Sequence, residues 1–303
     1  MIYDRFERPI TGVRISVTSR CNLRCIYCHK EGIEESCTEM TPEEISRIIK
    51  VCAKFGVTRV KITGGEPLLR EDICEIVELS HVDGVNDVSM TTNGTLLEEY
   101  AEDIKSAGLN RINVSLDTLK PEVFSHITRG GKLEEVLNGV ETAIEAGLKP
   151  VKLNMVVMEG INEKEIHDVL KNYSRDGVVL QLIELVNTDS EFFKKYFFDL
   201  DTVERSFEKS SDRVTVRKLM HGRRKYSVNG SVVEIVKPMH NTEFCAKCTR
   251  IRITPDGKFK PCLMRGDNLV DFLTVMRSGA SDSKLEELFK EAVLLREPYF
   301  KVK

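Results

Sequence analysis

Six short β-type runs alternate with helical patterns through the first two-thirds of the chain. They read Val13–Thr18, Thr58–Thr63, Asp87–Thr92, Arg111–Leu116, Val151–Val157 and Val178–Leu185. Helix signals fill the gaps. Thr41-Pro42-Glu43-Glu44 offers an N-cap, a first-turn proline and early acids, and Gly56, Gly108 and Gly147 fall at helix stops. Such alternation predicts a parallel sheet with right-handed crossovers. Six units fall short of the eight of a closed barrel. The expected fold is therefore α/β, an open, partial TIM-type barrel.

The strands carry a second constraint. Val13, Ile15 and Val17 alternate with Arg14, Ser16 and Thr18; Val60 and Ile62 with Lys61 and Thr63; Val88 and Met90 with Ser89, Thr91 and Asn93. Ile112, Val114 and Leu116 alternate with Asn113, Ser115 and Asp117, and Val151, Leu153 and Met155 with Lys152 and Asn154. Successive side chains point to opposite faces. The apolar set must meet the helices, so the polar set faces the barrel interior. Charged side chains buried without partners are costly, which predicts a wet, polar cavity. An antiparallel sheet with one solvated face is the bland alternative. The sixth run, Gln181-Leu182-Ile183-Glu184-Leu185, gives no clean phase.

Three cysteines, Cys21, Cys25 and Cys28, follow the first strand at spacing C-x3-C-x2-C. Thiolates are soft ligands, and three this close can each hold one corner of a cubane iron–sulfur cluster, leaving one iron open. A zinc site or three reduced buried thiols are the alternatives. The nine cysteines are an odd number in a chain of 303 residues without an apolar signal core, which argues against a disulfide framework. Cys37, Cys52 and Cys74 are scattered, the last two within helix-like patterns. The net charge of −3 suggests no nucleic-acid or anionic-membrane partner, and no apolar run is long enough to span a membrane. A cytoplasmic protein is expected.

C-x3-C-x-Y-C followed by Thr63-Gly64-Gly65-Glu66-Pro67 resembles the radical S-adenosylmethionine (SAM) superfamily. The resemblance implies that the open iron binds SAM and that Tyr27, Gly65 and Ser115 contact it. Glycines let a ligand approach the backbone, and the Glu66 carboxylate can receive an ammonium.

After about residue 190 the pattern changes, which divides the chain into 1–190 and an α+β extension, 191–303. A helix is expected near Asp201–Lys209, with strands around Val214–Lys218 and Lys225–Val236 and a hairpin at Asn229-Gly230. A second triplet, Cys245, Cys248 and Cys262, has a zinc-like opening pair that His240 or His221 could complete. Thr249-Arg250-Ile251-Arg252 follows, and strand alternation puts both guanidiniums on one face. Arginine's planar fork suits phosphates and the acceptor edges of bases.

C-x2-C-T-R-x-R with its later cysteine, together with the N-terminal half, resembles the GTP 3′,8-cyclase family from about Arg14 to the last helix. The resemblance implies a second 4Fe-4S cluster on Cys245, Cys248 and Cys262. It assigns GTP to Arg14, Lys61, Thr91, Lys152, Arg250 and Arg252, with Arg250 and Arg252 in the catalytic role. The implied reaction uses SAM and two clusters to convert GTP into its 3′,8-cyclo-7,8-dihydro derivative, the precursor of molybdopterin. Implied partners are an electron donor and the downstream enzyme that forms the cyclic pyranopterin; a homodimer is compatible with the sequence. Two departures stand out: Val186 occupies the family's usual methionine position, and the chain ends Phe300-Lys301-Val302-Lys303 instead of Gly-Gly. A solvated, dispensable tail is expected. The rivals are another two-cluster radical SAM enzyme acting on a peptide, and a non-catalytic iron–sulfur or zinc sensor.

Overall fold

The computed structural model describes residues 1–33, 38–187, 189–239 and 242–297. Cys37, His240 and the C-terminal Phe300-Lys301-Val302-Lys303 lie outside the described residues. All six expected strands form. In chain order the first part runs β1 (Gly12–Ser16), α1 (Pro42–Lys54), β2 (Arg59–Thr63), α2 (Ile73–Leu79), β3 (Asp87–Thr92), α3 (Leu97–Ser106), β4 (Arg111–Ser115), α4 (Pro121–Thr128), α5 (Leu133–Glu145), β5 (Val151–Val157), α6 (Ile166–Asn172) and β6 (Val178–Glu184). Each of the five successive pairs from β1 to β6 is parallel, which excludes the antiparallel alternative. Expected strand ends are trimmed by one or two residues where loops take over. Beyond β1, Val17 N still donates to Thr63 O (2.9 Å), but the Thr18 hydroxyl is already used by Glu39 and by Arg20 N.

The helices start and stop as their residues dictate. Thr41 and Glu44 form a reciprocal capping box, Glu44 N to Thr41 Oγ1 and Thr41 N to Glu44 Oε2. Gly56, Gly108 and Gly147 all take positive φ at helix ends. The outward strand residues Ile15, Ile62, Met90, Val114 and Leu153 are fully buried and share one core with Ile45, Ile49, Val136 and Val140 of the helices. Each such aliphatic side chain contributes roughly 1.5–3 kcal/mol by burial.

The extension contributes α7 (Ser190–Tyr196), α8 (Asp201–Ser210), β7 (Arg213–Val216), β8 (Arg224–Val228), β9 (Ser231–Val236), α9 (Thr242–Ala246), β10 (Arg250–Ile253), β11 (Lys258–Lys260), β12 (Val270–Asp271), α10 (Leu273–Arg277) and α11 (Asp282–Leu294). Asn229 (φ 47°) and Gly230 (φ 80°) make the hairpin turn between β8 and β9. The extension pairs with both edges of the six-stranded sheet. β10 lies parallel to β1 and β9 parallel to β6, giving the order β12-β11-β10-β1-β2-β3-β4-β5-β6-β9-β8-β7. The sheet stays open, a partial barrel. No helix among the described residues is long and apolar enough to cross a membrane.

Candidate active site

The inner face of the sheet surrounds a cavity of about 550 Å³. Arg14, Lys61, Ser89, Thr91, Asn113, Lys152 and Asn154 line it, so the polar phase of the first five strands does point inward. On β6, Gln181 and Ile183 face the cavity while Leu180 and Leu182 join the core; Ile183 is the apolar residue that hides the phase. The polar residues beyond the strand ends behave differently. Thr18, Asn93 and Asp117 hold loops: Asn93 Nδ2 donates to Asn22 (2.8 Å), and Asp117 accepts from Val156 N (2.8 Å).

Parallel register aligns the cations. Arg14 sits opposite Arg252 on one side and Lys61 on the other, and Gly12 sits opposite Arg250. Ten Lys and Arg side chains line the cavity against four Asp and Glu, an excess that suits a polyanion. Lys61 donates to Asn113 Oδ1 (2.6 Å); burial, with Arg111, Arg14 and Arg250 nearby, pulls its ammonium well below the ordinary range. The buried Nε atoms of Arg14, Arg217, Arg223 and Arg252 have no hydrogen-bond acceptor. Arg217 Nε and Arg252 Nε stand 3.6 Å from Glu234 and Glu31, and an anionic ligand could satisfy buried donors left without an acceptor.

Four cavity residues were not legible as site residues. Glu234 on β9 is fully buried and gathers three cations: the Lys152 ammonium, Arg223 (3.2 Å) and Arg217 (3.6 Å). Burial opposes its charge, but those cations hold its carboxyl well below the usual range. Arg223 also donates to Gln181 Oε1 (3.1 Å). The fourth is Glu184, whose buried Oε2 has no hydrogen-bond partner. Glu234 on β9 and the loop residues Arg217 and Arg223 reach β5 and β6 through the sheet order, which no local period reveals, and Glu184 lies on β6, the run without a clean phase.

The first cysteine loop is pinned to the end of α4 by Arg24 N to Thr128 O (3.2 Å) and Ile26 N to Ile127 O (2.9 Å). Two donors reach Cys21 Sγ: Leu23 N (3.4 Å) and Asn93 Nδ2 (3.9 Å). Burial, with Asp117 and the other two thiols nearby, pushes the Cys25 thiol up to about 12. Tyr27 donates to Asp117 Oδ2 (2.7 Å) and lines the cavity.

Gly64 and Gly65 serve the chain itself. A Cβ on Gly65 would stand 2.1 Å from Arg20 O, and one on Gly64 2.7 Å from Thr18 O. Gly65 N and Glu66 N donate to Thr18 O and Arg20 O (both 2.8 Å). The loop is thereby clamped onto the segment that leads into Cys21. Glu66 is wholly buried, its oxygens taken by Thr92 Oγ1 (2.7 Å), Asn93 N (2.6 Å) and Leu68 N (3.1 Å). Gly65 and Ser115 lie at the C-terminal ends of β2 and β4, outside the cavity wall.

The second cysteine segment is anchored by a buried network. Arg8 donates to Asp4 (2.8 Å) and Cys245 O (2.8 Å), and Arg296 to Asp4 (2.7 Å) and Cys248 O (2.7 Å). Burial would raise the Cys248 thiol, but Arg296, Arg252 and Arg250 hold it below its ordinary value. His221 donates Nδ1–H to Phe244 O (2.7 Å) and stacks on that ring, centroids 3.8 Å apart. Among the described residues no three His, Cys, Asp or Glu side chains converge on one metal position. None of the eight described cysteines is in a disulfide. Two thiol triplets, each with nearby donors or cations, fit groups that take one thiolate per iron.

Residues 15–172 match the radical SAM superfamily, and residues 178–302 match the family described as Molybdenum Cofactor Synthesis C. A Methanothermobacter marburgensis protein named "Probable GTP 3',8-cyclase" is 49% identical over 302 residues, 99% of each chain. A Thermococcus kodakarensis protein of the same name is 50% identical over 310 residues, covering 99% of this chain and 100% of the relative. The chain belongs to the GTP 3′,8-cyclase family of radical SAM enzymes.

Among solved structures, Streptococcus suis SuiB bound to S-adenosylmethionine aligns with a TM-score of 0.65 at 20% identity. The alignment covers 88% of this chain and 65% of SuiB, and it shows the shared fold. Membership of the GTP 3′,8-cyclase family brings SAM and a 4Fe-4S cluster with it. Where the family usually has methionine, Val186 still lines the cavity.

Glu184 gives this member a pH signature. Burial raises its carboxyl from 4.5 to about 7. A folded-state pKa raised in this way contributes stability that is complete below about 4.5 and is lost as pH climbs through about 7. Glu184→Gln should therefore gain on the native chain as pH rises from 5 to 8, by on the order of 1 kcal/mol per pKa unit removed. Melting curves that keep a constant gap over that range would show that Glu184 does not titrate as described.

Proposed function

We propose that this chain converts GTP to (8S)-3′,8-cyclo-7,8-dihydroguanosine 5′-triphosphate, the first step of molybdenum cofactor biosynthesis. The observation that carries the reading is the single row Arg252–Arg14–Lys61 across three parallel strands, inside a cavity with a large cationic excess. In this reading Cys21, Cys25 and Cys28 hold one 4Fe-4S cluster and Cys245, Cys248 and Cys262 a second. When bound, the first cluster supplies the electron that splits SAM into methionine and a 5′-deoxyadenosyl radical.

The protein's own contribution is placement. Tyr27, Gly65 and Ser115 position SAM at the C-terminal ends of the strands, where ligands of parallel barrels bind. Arg14, Lys61, Thr91 and Lys152 neutralise and orient the triphosphate, and Arg250 and Arg252 hold the guanine end. Fixing ribose C3′ and guanine C8 in one geometry removes the entropy cost of bringing them together. The walls of the partial barrel keep water from a reactive intermediate. A reductant for the clusters, a downstream pyranopterin-forming enzyme and a cytoplasmic setting complete the proposal.

Anaerobic incubation with GTP, SAM and a chemical reductant tests it. The expected products are 5′-deoxyadenosine and the cyclised nucleotide, with about eight irons per chain. A chain that holds zinc in place of the second cluster, or cleaves SAM without consuming GTP when both clusters are present, would refute it.

A further inference from the structure

A turn between the two cysteine segments carries a carboxylate into the cavity. Lys30 (φ 47°) and Glu31 (φ 54°) are successive non-glycine residues in the left-handed region, followed by Gly32 (φ 63°). Such backbone is uncommon and costly, and it gathers at functional sites. Gly32 N donates to His29 O (2.7 Å) and Ile33 N to Lys30 O (3.0 Å). A Cβ on Gly32 would stand 2.8 Å from Leu263 O, next to Cys262. The turn is thus wedged between the loop ending at Cys28 and the third cysteine of the other triplet. It delivers Glu31 between two cavity arginines: an ion pair with Arg14, and Oε2 3.6 Å from Arg252 Nε.

A carboxylate in this position repels phosphate, so it suits a part of the ligand that donates hydrogen bonds. The other acceptors on the wall are engaged. Asp87 takes Arg111, Glu234 takes three cations, Asn113 Oδ1 takes Lys61, and Gln181 Oε1 takes Arg223. Glu184 lies on β6, at the opposite side of the sheet from β10. Glu31 is itself paired with Arg14 through Oε1, but among the described residues it is the carboxylate in ion-pair contact with Arg252, through Oε2 at 3.6 Å. Guanine presents acceptors at O6 and N7 and a donor at the exocyclic 2-amino group. An arginine and a carboxylate side by side complement that pattern, whereas adenine would put its 6-amino group against the arginine. Resting on the placement of the base proposed above, we infer that Glu31 is a specificity-determining residue that accepts from the guanine 2-amino group, with Arg252 reading the acceptor edge.

The test compares GTP with inosine 5′-triphosphate, which lacks only that amino group. Dissociation constants are measured anaerobically on the cluster-loaded, SAM-bound protein. The native chain should prefer GTP by about tenfold or more, as expected of one charge-assisted hydrogen bond. Glu31→Gln and Glu31→Ala should lose most of that preference through weaker GTP binding, with inosine triphosphate held within about twofold. Lys152→Ala should weaken both nucleotides by one common factor, because both carry the triphosphate. Equal affinity of the native chain for the two nucleotides overturns the assignment, even if neither Glu31 variant folds. An unchanged ratio in the variants overturns it too. Tighter binding of both nucleotides would make Glu31 a competing counter-ion instead. A native chain that binds neither nucleotide refutes the GTP reading itself, and the assignment of Glu31 with it.

Discussion

Cys21→Ala is expected to abolish SAM cleavage, whereas Cys245→Ala leaves measurable cleavage and no cyclised product. The two triplets are held by separate parts of the fold, which makes the effects separable. Cys21 sits in a loop fixed by α4 and by the Gly64-Gly65 contact with residues 18–20. Cys245 sits in α9, fixed through Arg8, and its neighbour Cys248 is fixed through Arg296. Loss of one thiol leaves the other anchor intact. The readouts are 5′-deoxyadenosine, cyclised nucleotide and iron content, taken together. Retained cyclisation in Cys245→Ala would sink the second-cluster assignment, and retained SAM cleavage in Cys21→Ala would sink the first.

The largest effect on stability should come from Glu234→Ala. One wholly buried carboxylate stands among Lys152, Arg223 and Arg217. Removing it leaves those cations without their counter-charge, and breaking a buried ion pair from one side costs roughly 3–5 kcal/mol. The loss should be partly reversible by ligand. A polyanion can supply the missing charge, so inorganic triphosphate should raise the melting temperature of Glu234→Ala more than that of the native chain. Equal shifts in the two proteins would mean that the phosphates bind away from this group, and a loss below about 1 kcal/mol would mean that the three cations relax outward unaided.

The barrel strands and their inward face were readable because period-2 alternation is local and survives in single sequences. Alternation put Arg14, Lys61, Thr91 and Lys152 on the inward face, the family resemblance assigned them to GTP, and the structure lines them along one cavity. Sheet order is not local. Nothing near Glu234 or Arg223 announces that β9 will pair with β6 and carry them to Lys152. Glu66 shows another limit: its motif marks the loop, but the bonds it accepts from Thr92, Asn93 and Leu68 are contacts that only the folded backbone creates.

The pairing of the extension with both β1 and β6 imposes an order of events during synthesis. When residue 190 leaves the ribosome, the six-stranded sheet has two open hydrogen-bonding edges, each a template for stray pairing. Those edges stay exposed until β9 and then β10 emerge, and Asp4 finds Arg296 only once that residue has been made. A nascent chain of this kind depends on speed of completion or on chaperones to survive the interval. The same arrangement ties the cavity's charges to the finished fold, since Arg223, Glu234, Arg250 and Arg252 all lie in the part made after the six-stranded sheet. A truncated product would carry the first cysteine loop without the cavity that is meant to receive what that loop generates.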